Sequence, residues 1–239
     1  MDRGQLSLPV LVHGVHRRPA PQSEEELLLR ARALAGHSVA DLCCALKASL
    51  PADPKRAKGF VGQLVEWALG SDPSAGERPD FVALGVELKT IPVDPRGWPV
   101  EATFCCSIHM ASADIQTWEN ARLRRRLACV LWVPVESGKG ASWGQRRFLP
   151  PTLWRPSVAQ SAQLRADWED LMGAIGAGQQ SLLGGHDGVV LQVRPKAANS
   201  AVRTLAAAGD GLTRAPPLGF YLRPGFTGPI VAAGVQSRA

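Results

Sequence analysis

The N-terminal part of the chain has the hydrophobic spacing of helices. Ser23-Glu-Glu-Glu26 is a capping box that opens a helix with Leu27 and Leu34 on its apolar face. Ser38-Val-Ala-Asp41 opens a second helix, and residues 60–69 form a third. The pattern therefore predicts a group of helices before the first strand.

An extended pattern follows these helices. Residues 81–92 and 101–110 lie on either side of a turn at Asp94-Pro-Arg-Gly97, which predicts a hairpin. Residues 129–135 form a continuous apolar run, typical of a central strand that is covered on both faces. This arrangement predicts an α/β fold in which helices flank a mixed β-sheet.

The C-terminal half alternates between helix and strand again. Its pattern predicts a helix over 157–173, a strand over 189–193, a helix that ends at Ala208, a strand over 219–223, and an irregular tail. Residues 1–22 have several prolines and no clear periodicity, so we predict a flexible N-terminal arm.

Composition narrows the function classes. The chain has 239 residues and a formal net charge of +6, which favours a polyanionic partner. Its five cysteines include two adjacent pairs, a spacing that fits neither a disulfide framework nor a zinc site and indicates a reducing compartment such as the cytoplasm. No apolar run is long enough to cross a bilayer, and the N-terminus does not have the pattern of a signal peptide.

Candidate chemistry is concentrated in Asp80-Phe-Val-Ala-Leu-Gly-Val-Glu87-Leu-Lys89. Glu87 and Lys89 share one face of an extended strand, and Gly85 can bend the backbone so that Asp80 turns toward them. Two carboxylates suit Mg²⁺, and a neighbouring ammonium can stabilise a phosphate anion or orient a water. The spacing alone is a weak signal for a phosphodiesterase, because Glu and Lys also alternate on ordinary solvated strands.

Two further positions belong to the third helix. Glu66 lies among apolar positions, where it is either a solvent-facing residue of an amphipathic helix or an additional carboxylate of the metal site. Lys58-Gly59 stands at the predicted start of this helix, where free N–H groups favour a phosphate.

Several stretches together resemble the family of the DNA mismatch repair endonuclease MutH, which has a restriction-endonuclease-like fold. They are Lys58-Gly-Phe-Val-Gly-Gln-Leu-Val-Glu66, Asp80-Phe-Val-Ala-Leu-Gly-Val-Glu-Leu-Lys-Thr-Ile-Pro-Val-Asp94, Glu101-Ala-Thr-Phe104, Val130-Leu-Trp-Val-Pro-Val-Glu136, Gln145-Arg-Arg147, Arg165-Ala-Asp-Trp-Glu-Asp-Leu-Met172, Arg194-Pro-Lys-Ala-Ala-Asn199 and Gly219-Phe-Tyr-Leu222. The resemblance implies that residues 23–239 form an endonuclease domain of two lobes around a DNA-binding cleft. The N-terminal lobe would hold the helices and a catalytic hairpin, and the C-terminal lobe the recognition residues.

The resemblance also implies an activity. It implies an Mg²⁺-dependent nuclease, with Mn²⁺ as a substitute, that nicks the unmethylated strand of hemimethylated GATC sites in double-stranded DNA, 5′ to the G. Such an enzyme acts in methyl-directed mismatch repair, is activated by MutL after MutS finds a mismatch, and works as a monomer.

Roles follow for single positions. By resemblance, Asp80 and Glu87 are the metal-binding carboxylates, Lys89 is the catalytic lysine and Glu66 is an additional acidic residue of the active site. The positions implied to contact DNA are Lys58, Gly59, Phe104, Arg126, Arg194, Pro195, Lys196 and Tyr221.

General chemistry agrees with the roles of the C-terminal positions. Arginine is the usual bidentate donor to guanine O6 and N7, and Pro195 would stiffen the loop that presents Arg194. Tyr221 is implied to lie near the adenine whose methylation is sensed. Arg126 departs from the family, which has a lysine at this position. The planar guanidinium of arginine, with its fork of N–H donors, therefore replaces the compact charge of an ammonium there.

Two other functions fit parts of the sequence. A restriction endonuclease for GATC would cut both strands and normally needs two active sites, whereas this chain has one Asp-Glu-Lys set. A catalytically silent DNA-binding protein would have no need for the carboxylate pair. Both considerations favour a nicking enzyme.

Overall fold

Three helices precede the two larger sheets, and the capping residues of the first two predict where those helices begin. The computed structural model describes residues 11–12, 15–51, 54–138, 142–196, 201–208 and 211–236. Helix α1 covers Glu24–Arg32, and the Glu26 N–H donates to Ser23 Oγ at its start. Helix α2 covers Val39–Leu46 and has the full Ser38–Asp41 capping box. Helix α3 covers Pro54–Leu69.

Helix α3 is longer than predicted. It begins at Pro54, a residue favoured in the first turn because its ring fixes φ and a free N–H is not needed there. Lys58 and Gly59 therefore lie inside the helix, and the prediction that they mark its start is wrong.

The N-terminal arm is described only in part. Strands β1 (Leu11–Val12) and β2 (Val15–His16) pair antiparallel, whereas residues 1–10 and 13–14 lie outside the described residues. The Arg18 N–H donates to Trp67 O (3.0 Å), and Arg30 donates to Pro19 O (2.7 Å). Gly70 has φ +84°, and a Cβ there would overlap the Pro19 carbonyl. The end of the arm is thus held against α1 and α3.

The first sheet has the order β3-β5-β6, with strands Glu87–Val93, Val130–Glu136 and Thr152–Trp154. Strand β3 runs parallel to β5, and β6 is antiparallel to it. All residues of β5 except Glu136 are buried, which confirms the central strand that the apolar run predicted.

The predicted hairpin between residues 81–92 and 101–110 is wrong. The turn exists, because Asp94 Oδ1 accepts the N–H groups of Arg96 and Trp98, but only Val93 and Pro99 form a bridge across it. Strand β3 pairs with β5, and strand β4 (Thr103–Ser107) pairs with the distant strand β10 (Leu218–Leu222). Pro92 and Pro99 lie on either side of the turn, and proline lacks the N–H that continued pairing would need.

The second sheet has the order β4-β10-β7, where β7 is Leu191–Pro195 and both pairings are antiparallel. Helices α4 (Arg122–Leu127) and α5 (Val158–Gly176) pack against β4 and β7, respectively. The predicted helix that ends at Ala208 is wrong: β8 (Thr204–Ala208) pairs with β9 (Gly211–Ala215). Pairing overrides the helical preference of its alanines.

The C-terminal tail is also a correction, since helix α6 covers Pro224–Gln236. Its glycines and Pro229 argue against a helix by propensity. A Cβ at Gly228 would overlap the Trp98 ring, and one at Gly234 would overlap Thr152. The small residues therefore allow close packing, which the local sequence does not show.

The chain divides into two compact units. Unit 1 consists of Met1–Val100, Cys129–Trp154 and Gly228–Ala239, and unit 2 of Glu101–Ala128 and Arg155–Thr227. Within the described ranges, no helix combines the length and the apolar composition needed to cross a membrane. The mixture of small sheets and helices confirms the predicted α/β class.

Candidate functional site

Glu87 and Lys89 form an ion pair at the start of β3, in unit 1. Glu87 is 0% exposed, and its N–H donates to Cys129 O at 2.9 Å, which fixes the strand end beside β5. Lys89 Nζ lies 2.5 Å from Glu87 Oε1. Because Glu87 and Lys89 are two residues apart on one strand, their side chains lie on the same face of the sheet, as predicted. A buried carboxylate needs such a partner, because its desolvation is costly.

Asp80 reaches the same place through a turn. Residues Val82–Leu84 form a 3-10 turn that ends at Gly85, with φ +64°, so the backbone reverses before β3. The Leu88 N–H then donates to Asp80 Oδ2 at 2.8 Å. The predicted bend at Gly85 is confirmed, although the strand begins at Glu87 and not at residue 81.

Glu66 joins this group from α3. Burial raises the pKa of the Glu66 carboxyl, and the negative charges of Asp80 and Glu87 raise it further, whereas Lys89 and Arg17 lower it. Glu66 is therefore close enough to the ion pair to feel its charges, and its side chain is half-buried rather than fully exposed to solvent. Unit 1 thus brings together all the residues for which a catalytic role was predicted: Glu66, Asp80, Glu87 and Lys89.

The donor set suits a hard cation. Mg²⁺ usually takes one or two protein carboxylates and keeps several waters. Asp80 and Glu87 supply such carboxylates, and Asp80 has an oxygen beyond the one bonded to Leu88. Among the described residues, no group of three or more His, Cys, Asp or Glu side chains is arranged to hold a metal. Mg²⁺ commonly takes two carboxylates from a protein, so Asp80 and Glu87 fit a hydrated hard cation.

A cavity of about 510 Å³ opens beside Glu66, within unit 1. Its walls come from the end of the arm, the end of α3 and the turn before Gly85. Arg17 lies in this wall with its guanidinium carbon 5.7 Å from the centre of the Trp67 ring. The arm thus adds positive charge next to the carboxylates.

A second group of predicted residues lies on one sheet of unit 2. Tyr221 on β10 is paired with Phe104 on β4, and their ring centres are 5.3 Å apart. The Arg194 guanidinium carbon lies 5.8 Å from the Tyr221 ring centre, and Lys196 Nζ lies 4.4 Å from that of Phe104. We call these four residues the recognition cluster. Its two cations are exposed and rest on half-buried aromatic rings.

Two residues that sequence reasoning missed support the recognition cluster. Gly219 lies opposite Arg194 on β10, and a Cβ there would come within 2.8 Å of the Phe104 ring. Gln192 is paired with Tyr221 and is buried, an unusual polar residue between Leu191 and Val193. The sequence alone shows that Gln192 is a polar residue between two apolar strand residues, and this pattern could have singled it out. The role of Gly219 depends on pairing between distant strands, which the sequence does not show.

The remaining predicted DNA contacts belong to both units. Pro195 ends β7 and is exposed. Arg126 is half-buried in α4, within unit 2. Lys58 and Gly59 lie in α3, within unit 1, and the Lys58 side chain lies outside the described residues.

Comparison with known proteins gives a consistent picture. Residues 69–167 match the family model described as DNA mismatch repair enzyme MutH. The chain is 45% identical to the DNA mismatch repair protein MutH of Pectobacterium atrosepticum over 89% of this chain and 93% of that protein. It is 46% identical to the protein of that name from Klebsiella pneumoniae, over 89% and 92% of the two chains. For Vibrio cholerae the identity is 43%, over 90% and 97%.

Proposed function

Because the chain belongs to the MutH family and is therefore a DNA mismatch repair endonuclease, we propose that it nicks the unmethylated strand of hemimethylated GATC sites, 5′ to the G. The observation that carries this proposal is the grouping of Glu66, Asp80, Glu87 and Lys89 in unit 1. Burial and the neighbouring carboxylates raise the pKa of Glu66, and a carboxyl in such a setting is costly for folding and typical of a reactive site.

The proposed cofactor is Mg²⁺, with Mn²⁺ as a substitute, and Asp80 and Glu87 would hold it. When bound, the cation supplies Lewis acidity toward a phosphate oxygen and lowers the pKa of a water. The Leu88 N–H fixes the Asp80 carboxylate, and burial fixes Glu87, so both acceptors are held in place before a ligand arrives.

Beside Asp80 and Glu87, Lys89 would stabilise negative charge and Glu66 would accept a proton. The Lys89 ammonium can donate to a phosphate oxygen or orient the attacking water, and β3 holds its backbone by pairing with Trp132. Glu66 keeps a proton more readily than an ordinary glutamate, so it can accept one released nearby.

The recognition cluster in unit 2 would recognise the GATC site. Arg194 can donate two N–H groups to guanine O6 and N7, and Lys196 supplies a second cation for a base or a phosphate. The adenine N6-methyl lies in the major groove, where the Tyr221 ring can reject it by steric exclusion. One methyl is typically worth about 1–3 kcal/mol, so methylation sensing needs Tyr221 together with its neighbours, including Phe104.

The other predicted contacts would fix the DNA backbone. Lys58 and Gly59 would lie near the cleaved strand, Arg126 would contact a phosphate, and Pro195 would stiffen the end of β7. Contacts to phosphate set the position of the protein on DNA without sequence information, so these residues would affect affinity rather than specificity.

Partners follow from the family. We assign MutL as the direct activator and MutS as an indirect partner, and we expect a monomer that works on chromosomal DNA in the cytoplasm. The predicted organisation into an arm over residues 1–22 and a two-lobed endonuclease domain over 23–239 belongs to the same proposal.

A strand-resolved cleavage assay tests the function. The substrate is a GATC duplex that is hemimethylated, fully methylated or unmethylated, with each strand labelled differently, in the presence of Mg²⁺ and with or without MutL. We expect nicks on the unmethylated strand 5′ to the G, stimulated by MutL. Cutting of both strands regardless of methylation would identify a restriction endonuclease, and binding without cleavage a silent DNA-binding protein.

A further inference from the structure

Gln192 is a buried polar residue within the sheet that carries the recognition cluster. Its side chain is only 2% exposed, and its strand neighbours Leu191 and Val193 are buried apolar residues. A buried amide is costly unless it is hydrogen-bonded, so a residue of this kind usually has a specific partner.

The partner of Gln192 is Arg194. The Arg194 Nη2 group donates to Gln192 Oε1 at 3.1 Å. The two residues are separated by one position on β7, so their side chains lie on the same face of the sheet. Tyr221 is paired directly with Gln192, and its ring lies 5.8 Å from the guanidinium carbon. The guanidinium is therefore held both by a hydrogen bond and by an aromatic ring.

This arrangement matters because Arg194 is exposed. An exposed arginine has many rotamers, and fixing them on binding costs side-chain entropy. A hydrogen bond made before DNA arrives lowers that cost. A guanidinium has five N–H donors, and a bidentate contact to guanine needs two, so the bond to Gln192 leaves enough donors for the base.

We propose that Gln192 is a positioning residue for DNA recognition, whose amide oxygen holds the Arg194 guanidinium against Tyr221 in the orientation that binds guanine. This inference rests on the proposed function, because it requires Arg194 to contact a guanine. Gln192 itself touches no DNA in this account and acts only through Arg194.

The test compares three variants of the full-length protein. Gln192→Met keeps the volume and removes the acceptor, and Gln192→Asn keeps a buried amide but shortens it by one methylene. Gln192→Glu restores an oxygen at the same distance from Arg194. The matched control is Gln179→Met, because Gln179 is an exposed residue of the same unit. Thermal melting shows which variants remain folded.

The probes are two hemimethylated duplexes that differ at one atom type. One contains GATC, and the other has 7-deazaguanine in place of both GATC guanines, which removes the N7 acceptor. Dissociation constants are measured by fluorescence anisotropy at one salt concentration without a divalent cation. We expect the 7-deaza duplex to bind wild type about tenfold more weakly.

We call the weaker binding of the 7-deaza duplex the 7-deaza penalty. The expected result is that this penalty is lost when Gln192 can no longer hold Arg194. Gln192→Met and Gln192→Asn should bind the GATC duplex about tenfold more weakly than wild type and bind both duplexes alike, whereas Gln192→Glu and Gln179→Met keep the wild-type difference. A full penalty in folded Gln192→Met or Gln192→Asn would overturn the inference and leave the proposed function intact. The absence of any penalty in wild type would overturn the guanine contact of Arg194, and the inference with it.

Discussion

The proposed catalytic group of unit 1, which consists of Glu66, Asp80, Glu87 and Lys89, and the recognition cluster of unit 2 are built in opposite ways. In unit 1, Glu87 is fully buried, and three of the four residues lie in one short stretch of chain around a single turn. In unit 2, exposed cations rest on aromatic rings, and the residues come from three strands that are far apart in sequence.

This difference fits the role that we propose for each site. Reactive groups gain from a low-dielectric setting, where a charge acts strongly on its neighbour. Groups that recognise DNA bases have to meet a large, hydrated partner, so they stay exposed and are ordered by their neighbours. The comparison predicts that substitutions in the catalytic group of unit 1 lower the nicking rate, whereas substitutions in the recognition cluster of unit 2 lower the preference for GATC.

The largest effect is expected for Glu87→Gln. The substitution removes a proposed metal-binding carboxylate and the partner of the Lys89 ammonium, so nicking should fall about 10³-fold or more. DNA affinity should change little, because the recognition cluster is untouched. Single-turnover nicking and equilibrium binding measure the two effects, with exposed Glu25→Gln as the control. A loss of affinity equal to the loss of rate would contradict the division between the units.

Arg194→Lys should have the next largest effect. Lysine keeps the charge but lacks the bidentate fork, so the preference for GATC over a scrambled duplex should fall by about 1–3 kcal/mol, roughly 5- to 150-fold. Non-specific affinity and its salt dependence should stay the same, because the number of cations is unchanged. Competition binding at several salt concentrations checks both. A uniform loss over all sequences would indicate a phosphate contact.

Asp167→Asn tests how the recognition cluster is anchored. The buried Asp167 carboxylate of α5 accepts the N–H groups of Val190 and Leu191 at 2.6 and 2.8 Å, which fixes the start of β7. An amide cannot accept both of these bonds and the one from Gln163, so the free energy of unfolding should fall by roughly 1–3 kcal/mol. Urea denaturation measures the change. Asp170→Asn, at an exposed position of the same helix, is the control. A similar loss of unfolding free energy in that variant would contradict the anchoring role of Asp167.

The smallest effect concerns the pH dependence of stability at Glu66. Its pKa is raised in the folded protein, first by burial, so folding favours the protonated carboxyl and stability falls as pH rises from the ordinary glutamate pKa through the raised value. Glu66→Gln should therefore melt at a higher temperature than wild type above that range without divalent cations, and equally at low pH. Melting curves from pH 4 to pH 8, with Glu25→Gln as control, test the sign. A gain confined to low pH would contradict it.

The sequence predicts the local parts of the molecule well. The capping residues Ser23, Ser38 and Ser157 each start a helix, and the apolar run before Glu136 is the central strand. The placement of Asp80, Glu87 and Lys89 follows from strand alternation and from the glycine turn at Gly85, both of which depend only on near neighbours in the chain, whereas Glu66 comes from α3.

The parts that were predicted wrongly depend on distant partners. Strand β4 pairs with β10 rather than with β3, and β8 is a strand despite its alanines because β9 pairs with it. Helix α6 contains poor helix formers that allow Trp98 and Thr152 to approach closely. No local pattern contains these contacts, and the same is true of Gly219 beneath Phe104.

The most direct test of the division between chemistry and recognition is one set of single-turnover nicking rates at protein concentrations up to saturation, together with equilibrium binding to the same duplexes. The substrates are a hemimethylated GATC duplex and a scrambled duplex, and the proteins are wild type, Glu87→Gln and Arg194→Lys, each with Mg²⁺ and MutL. We expect Glu87→Gln to bind GATC and not nick it, and Arg194→Lys to nick at a rate close to wild type once saturated, but with reduced preference for GATC. Equal losses of rate and preference in both variants would contradict the account.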